Sequence, residues 1–247
     1  MRLLESGFYQ IDEPTINLSE DMIYNLLVEN DIDINIKCDH MMNVNIVNGA
    51  NKAITIRVKG DVYDSLNITF CMFSLKETNI EMDIKLLKEE AKFLGCSSSI
   101  TKDRQTYKFN IDHLAPYTTS NMESYGVVLE DGEYYCDTIG KISKGNYQSS
   151  AYQTTRVLTY KDVKEVKALP VLYIDENDVQ AKHACTIGKL DEDQLYYLQS
   201  RGINEITAVK LLSHGYLNSV LELILDDDVK KLISDDIEKR VEEICLM

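Results

Sequence analysis

Ile32-Asp33-Ile34-Asn35-Ile36-Lys37 carries an aliphatic residue at every second position and a polar one between each pair. Successive side chains of a strand point to opposite faces, so a period of two predicts a strand with one buried face. The alternation returns at Val44 and Ile46, at Ile54, Ile56 and Val58, and at Leu66, Ile68, Phe70 and Met72. It returns again at Ile80, Met82, Ile84 and Leu86, and at Tyr107, Phe109 and Ile111. Asn48-Gly49-Ala50-Asn51, Lys59-Gly60-Asp61, Asp131-Gly132 and Lys144-Gly145-Asn146 read as turns between strands, because glycine and asparagine tolerate positive φ. Strands at this spacing fit a sandwich, a barrel or a β-solenoid. The alternation does not choose among them, and no exact repeat is visible.

On either side the pattern changes. Asn17 and Glu20 are spaced like a capping box ahead of Met22, Ile23, Leu26 and Leu27, which predicts a short helix within an N-terminal cap, residues 1–31, on a β core of residues 32–190. Inside that core, Leu86 to Leu94 reads as a short helix or a strand connection. After Leu190 the chain becomes helical and acidic, a small unit of residues 191–247. Asp191 and Gln194 suggest a helix start, Leu195, Tyr196 and Leu198 its apolar positions, and Gly202 its end. Asn204 opens a second helix with Ile206, Val209, Leu211 and Leu212. A third stretch runs from Asn218 through Leu225, and after Asp226-Asp227-Asp228 a helical pattern resumes from Ile233 to Cys245.

Charge and motifs narrow the function. The 247 residues hold 26 basic and 41 acidic side chains, a net charge of −15, which repels nucleic acid and anionic lipid surfaces. Six dispersed cysteines without a C-x-x-C pair, and an N-terminus without a basic-then-apolar leader, predict a cytoplasmic protein with reduced thiols. No apolar run approaches the roughly 18 residues needed to cross a bilayer, so no membrane insertion is expected. Dispersed cysteines also argue that any metal is shared or transient. There is no G-x-x-x-x-G-K-[ST] loop, G-x-S-x-G elbow or H-E-x-x-H pair, so the chain reads as non-enzymatic.

The run Ala181-Lys182-His183-Ala184-Cys185-Thr186-Ile187-Gly188-Lys189-Leu190-Asp191-Glu192-Asp193-Gln194-Leu195-Tyr196-Tyr197-Leu198-Gln199-Ser200-Arg201-Gly202-Ile203 resembles the SufB/SufD family of iron–sulfur cluster assembly proteins. Members of that family carry an H-x-A-T-x-G-x-x-D-x-x-Q-x-x-Y-L-x-S-R-G-I-type stretch. The resemblance continues backwards through Pro170-Val171-Leu172-Tyr173-Ile174-Asp175 and, more loosely, His113-Leu114-Ala115-Pro116-Tyr117-Thr118-Thr119-Ser120. It covers residues 105 to 225 and extends less closely back to about residue 40. It implies a mainly β protein, a right-handed parallel β-helix followed by a small C-terminal α-helical domain. It also implies two partners: a SufC-type ABC ATPase docking on residues 191 to 225, and a second SufB/SufD-type subunit paired through the β-helix as a homo- or heterodimer. Longer relatives have an N-terminal helical region largely missing here, so this chain resembles compact members.

By the same resemblance His183 lies where the subunits meet and a nascent, transient iron–sulfur cluster forms. A neutral imidazole can ligate iron, with thiolates as companions; a structural histidine bonding a backbone carbonyl is the alternative. Cys185, two residues on, shares its face if the segment is a strand and could share the iron, or could be a small core residue. The position where B-type subunits present an upstream cysteine is Thr155, which cannot supply a thiolate. Gln194, Tyr197, Leu198, Arg201, Gly202 and Ile203 are the ATPase-docking candidates, set against a reading in which Gly202 ends a helix and Arg201 bridges an acidic neighbour. Cys38-Asp39-His40 reads as a loop coincidence rather than a metal site, His113 and His214 lack companion ligands, Cys245 reads as incidental, and Asp226 to Asp228 as a solvated helix end. The competing functional classes are a β-solenoid carbohydrate-active enzyme and a purely structural interaction module. The 15 tyrosines suit the former, but tryptophan is absent and no acidic pair stands out.

Overall fold

The computed structural model of the protein describes residues 1–4, 7–189 and 192–245. Sixteen strands in two sheets wind about six turns of a parallel β-solenoid, with helices near the C-terminus. One sheet, A, contains β1 (Arg2–Leu3), β2 (Tyr9–Gln10), β4 (Ile23–Val28), β6 (Met41–Asn48), β8 (Ser65–Met72), β10 (Lys92–Thr101), β12 (Thr119–Val128), β14 (Ser150–Thr159) and β16 (Gln180–Lys189). The other, B, contains β3 (Thr15–Leu18), β5 (Ile32–Cys38), β7 (Ile54–Val62), β9 (Thr78–Leu86), β11 (Arg104–His113), β13 (Glu133–Ile142) and β15 (Glu165–Ile174). From β2 onward consecutive strands alternate between sheets, and all the pairings are parallel except β1 with β2.

Inward side chains stack in columns along the axis. In sheet A one column is Leu26, Ile46, Phe70, Ser97, Ser124, Thr155 and Cys185. In sheet B another is Ile34, Val58, Met82, Phe109, Thr138 and Pro170. The steps of the first column grow from 20 residues between Leu26 and Ile46 to 31 between Ser124 and Thr155, which hides the repeat from any search at fixed period. Phe70 and Phe109 stack at 5.7 Å between ring centroids, and Tyr107 adjoins both Phe109 and Tyr134. Each such buried aromatic contributes about 1.5–3 kcal/mol by leaving water. Beyond this aromatic group the interior turns polar, with Ser97, Ser99, Thr101, Ser124, Thr138, Gln153 and Thr155 all buried.

Two expectations need correction, and one open alternative is decided. Residues 17–27 form no helix: they span the end of β3, a turn and most of β4. Ile16 and Leu18, then Tyr24, Leu26 and Val28, point inward at period two, and parallel pairing with β5 and β6 overrides the helical spacing of Met22, Ile23, Leu26 and Leu27. Lys59-Gly60-Asp61 is not a turn but the inside of β7, and a Cβ at Gly60 would lie 2.6 Å from Ile84 Cδ1, so this glycine makes room for packing. Of the two readings of Leu86 to Leu94 the strand connection is the one formed, at Lys88 to Ala91: Glu90 adopts φ 66°, and Lys92 N–H turns to Asp64 O to start β10.

The C-terminal segment forms α1 (Glu192–Ser200), α2 (Glu205–Leu217), a 3-10 turn (Asn218–Glu222) and α3 (Asp227–Cys245). Asn204 caps α2 by accepting from Thr207 N at 2.9 Å, as its position suggested. The third stretch is shorter than its sequence pattern, and α3 starts earlier than Ile233, because Asp226 accepts from the Asp228 and Val229 amides and initiates it. The proposed cap residue Asp191 lies outside the described residues. The helices cover the outer face of sheet A, where Leu217, Val220, Ile224, Val229, Ile233 and Ile237 pack on Cys71, Phe73, Cys96 and Val127. A polar ladder pins the same junction: Asn45 donates to Asn25 and Asn43 and accepts from Thr69, Asn43 donates to Leu223 O, and Asn25 donates to Asp226. The outer face of sheet B has no such cover and is a ladder of charged side chains, among them Arg57 paired with Asp33 and Glu81.

Candidate functional site

The solenoid ends open. β16 is the last strand of sheet A and β15 the last of sheet B, so each has one free edge. From β3 to β14 every strand buries its inward residues, whereas β15 is mostly half-buried with no fully buried residue and β16 is exposed along most of its length. Leu169 and Tyr173 on β15 are both 57% exposed and Ile187 on β16 43%.

His183 and Cys185 sit on this terminal strand. Gln153 pairs with His183 and Thr155 with Cys185, which continues the inward columns of β14 onto β16. Both side chains therefore share one face, two residues apart, and both are exposed because no further turn closes over them. The Cys185 thiol makes one long contact, 3.9 Å to Ala168 O, and partial burial pushes its pKa up. A metal would have to displace that proton, since thiolate and not thiol is the ligand. Among the described residues no group of three or more His, Cys, Asp and Glu could hold a metal ion. His183 and Cys185 thus stand on one face with no third such residue grouped beside them among the described residues.

β16 carries Lys182 and Lys189 and no acidic residue; Lys182 lies on the face opposite His183 and Cys185, and Lys189 pairs with Asp162 at 3.7 Å. Behind Cys185 the interior column runs through Thr155, Ser124 and Ser97, and Cys136 lies buried beside it with burial pushing its thiol pKa up. Apolar alternation carries no trace of this polar column, whose one sequence signal is the run Ser97-Ser98-Ser99 where that alternation stops.

Other candidates resolve differently. Cys38 is buried inside the solenoid, its thiol donating to His40 O at 3.0 Å and held by burial at a pKa of about 12, while the His40 ring is exposed outside. The two side chains do not converge. His113 is buried between Thr118 and Ser120, each 2.8 Å from a ring nitrogen. His214 accepts or shares a bond with Asn218 at 3.1 Å.

The docking candidates lie on α1 and its end. Gly202 adopts φ +82°; its N–H reaches Gln199 O, and the Ile203 N–H reaches Leu198 O, a Schellman closure. Gly202 therefore ends the helix. Arg201 lies over the Tyr197 ring at 5.3 Å rather than against an acidic neighbour. Tyr196 and Tyr197 are exposed, Leu198 is half-buried and Gln194 exposed.

Comparison with known proteins adds one decisive match: residues 13–216 fit the SufBD core domain of SUF-system FeS cluster assembly. The chain belongs to the SufBD family. It is 35% identical over 144 residues to the iron-sulfur cluster assembly protein SufD of Bacillus subtilis, a stretch covering 58% of this chain and 33% of that protein. It is 24% identical over 131 residues to the Escherichia coli protein of the same description, covering 53% and 31%. The chain thus spans about a third of the length of these curated relatives. No helix among the described residues is long and apolar enough to cross a membrane.

Proposed function

We propose that this SufBD-family chain is a non-enzymatic scaffold subunit of the SUF machinery, working in the cytoplasm. It pairs through its β-helix with a second SufB/SufD-type subunit, docks a SufC-type ABC ATPase on its C-terminal helices, and carries an iron–sulfur cluster transiently as cargo. The observation that carries this reading is the open end of the solenoid, where His183 and Cys185 stand exposed on a strand with one free edge and, among the described residues, no third ligand beside them.

Backbone chemistry supports pairing there. The Gln180 N–H bonds Ser149 O, so in this parallel register even-numbered residues of β16 bond β14. Ala181, His183, Cys185 and Ile187 then direct their amides and carbonyls to the free edge. An unguarded edge of ten residues without proline is a template for another strand. On β15 the Asp175 N–H bonds Ile142 O, which puts even-numbered residues on its free side, and Pro170 there lacks a donor. β16 is accordingly the better pairing edge. A strand from a second subunit would bring further ligands to the face that His183 and Cys185 share.

Co-expression with the SUF ATPase of the same organism, followed by size-exclusion chromatography, tests the reading. The wild-type chain is expected to co-elute with the ATPase, and Tyr197→Asp, on an exposed face of α1, to lose it while keeping the wild-type circular dichroism. A wild-type chain that elutes alone refutes the scaffold assignment.

A further inference from the structure

Between the outer face of sheet A and α2 runs a groove of about 350 Å³, lined by Tyr125, Arg156, Gln194, Leu211, Gly215 and Tyr216 among others. Its size is that of a site for one or two side chains. Three features of it are unexplained by the fold of this chain alone.

Arg156, on β14, makes no ion pair among the described residues. The carboxylate on the neighbouring strand, Glu123, aligns with Thr154 and already accepts from Asn121 and from the Tyr125 hydroxyl. The helices beyond the groove are acidic, with twelve Asp and Glu against six Lys and Arg between Glu192 and Cys245, yet no ion pair joins a described carboxylate to this guanidinium. Gly215 sits inside α2, where glycine disfavours the helix relative to alanine. A Cβ there would meet nothing within 4 Å, so no contact within this chain requires the glycine. Leu211, one helical turn before Gly215 on the same face, is 52% exposed.

We propose that this groove receives an acidic segment of the ATPase partner, a carboxylate bonded by Arg156 and an apolar neighbour laid across Leu211 and Gly215. The inference rests on the reading that an ATPase docks on these helices, and it moves part of the contact from α1 onto the β-helix. Arg156 supplies the charge that an acidic group needs, since guanidinium and carboxylate make paired, charge-assisted bonds. Gly215 supplies close approach for the partner's backbone or side chain, at the expense of helix stability in the free protein.

The test is the affinity of the full chain for the ATPase, with thermal unfolding of each variant. Arg156→Glu is expected to weaken binding by about 10- to 100-fold, the range of one charge-assisted bond, and to flatten its dependence on salt. Arg156→Lys recovers part of the loss. Gly215→Ala is expected to raise the unfolding midpoint by about 2–4 °C, the scale for a better helix residue in a chain of this size, and yet to weaken binding. A stabilised Gly215→Ala that binds less tightly cannot owe its defect to misfolding. If the wild-type chain binds and both variants bind as it does, the groove is not the docking site and the scaffold reading survives. If the wild-type chain does not bind, both fall.

Discussion

His113 should act as an acid-sensitive lock on the solenoid, and its effect is large enough to measure. The ring is buried, with Nδ1 2.8 Å from Thr118 Oγ1 and Nε2 2.8 Å from Ser120 Oγ. Thr118 donates its own hydrogen to Ala115 O, so Nδ1 carries the ring hydrogen and Nε2 accepts from Ser120. Burial lowers the folded-state pKa from 6.5 to about 4. The unfolded chain takes up its proton near 6.5 and the folded chain only near 4, so this contribution to stability is whole above pH 6.5 and is lost as pH falls through that window. The difference of about 2.5 pH units corresponds to about 3 kcal/mol. Urea unfolding of wild type and of His113→Gln, which keeps a donor and an acceptor at the site, should be compared at pH 7 and at about pH 4.5. Carboxylates titrate alike in both proteins, so the wild type should lose about 2–3 kcal/mol more than the variant over that interval. Parallel losses would refute a buried neutral imidazole.

The remaining predictions concern the open end and the packing that presents it. Anaerobic reconstitution with iron and sulfide should give visible charge-transfer absorption in the paired wild-type complex, and His183→Ala or Cys185→Ser should lose most of it; retention in both variants would exclude them as ligands. Because burial raises the Cys185 pKa, iron uptake should strengthen with rising pH up to that pKa, read as a pH titration of the same absorption. Cys38, Cys71, Cys96 and Cys136 are buried and Cys185 exposed, so brief native alkylation read by peptide mass spectrometry should label Cys185 and spare those four. Gly132→Ala should cost about 1–3 kcal/mol, because its Cβ would lie 2.9 Å from Leu129 O and 3.0 Å from Thr101 O, both backbone atoms that cannot swing aside. Asn45→Ala should cost about 2–3 kcal/mol by stranding Asn25, Asn43 and Thr69 under the helices, measured as a lower urea midpoint.

The sequence by itself determined the strands whose inward residues are apolar, from Ile32 to Ile111, because burial on one face of a strand writes a period of two into the chain. It also determined the helix end at Gly202 and the cap at Asn204, which depend on local backbone chemistry. The resemblance around His183 to Ile203 chose the β-helix where alternation left three architectures open. Tertiary structure alone decided the rest. β10 and β14 present Ser97, Ser99, Gln153 and Thr155 to the interior, so their alternation is silent although they are buried. Ile16 to Val28 fits a helical stripe and a strand equally well, and pairing with β5 and β6 selected the strand. The exposure of His183 and Cys185 likewise follows from where winding stops: the same alternation one turn earlier buries Gln153 and Thr155. Whether a side chain is core or site there depends on the presence of a next turn, which is a property of the stacked coils and not of any local run of residues.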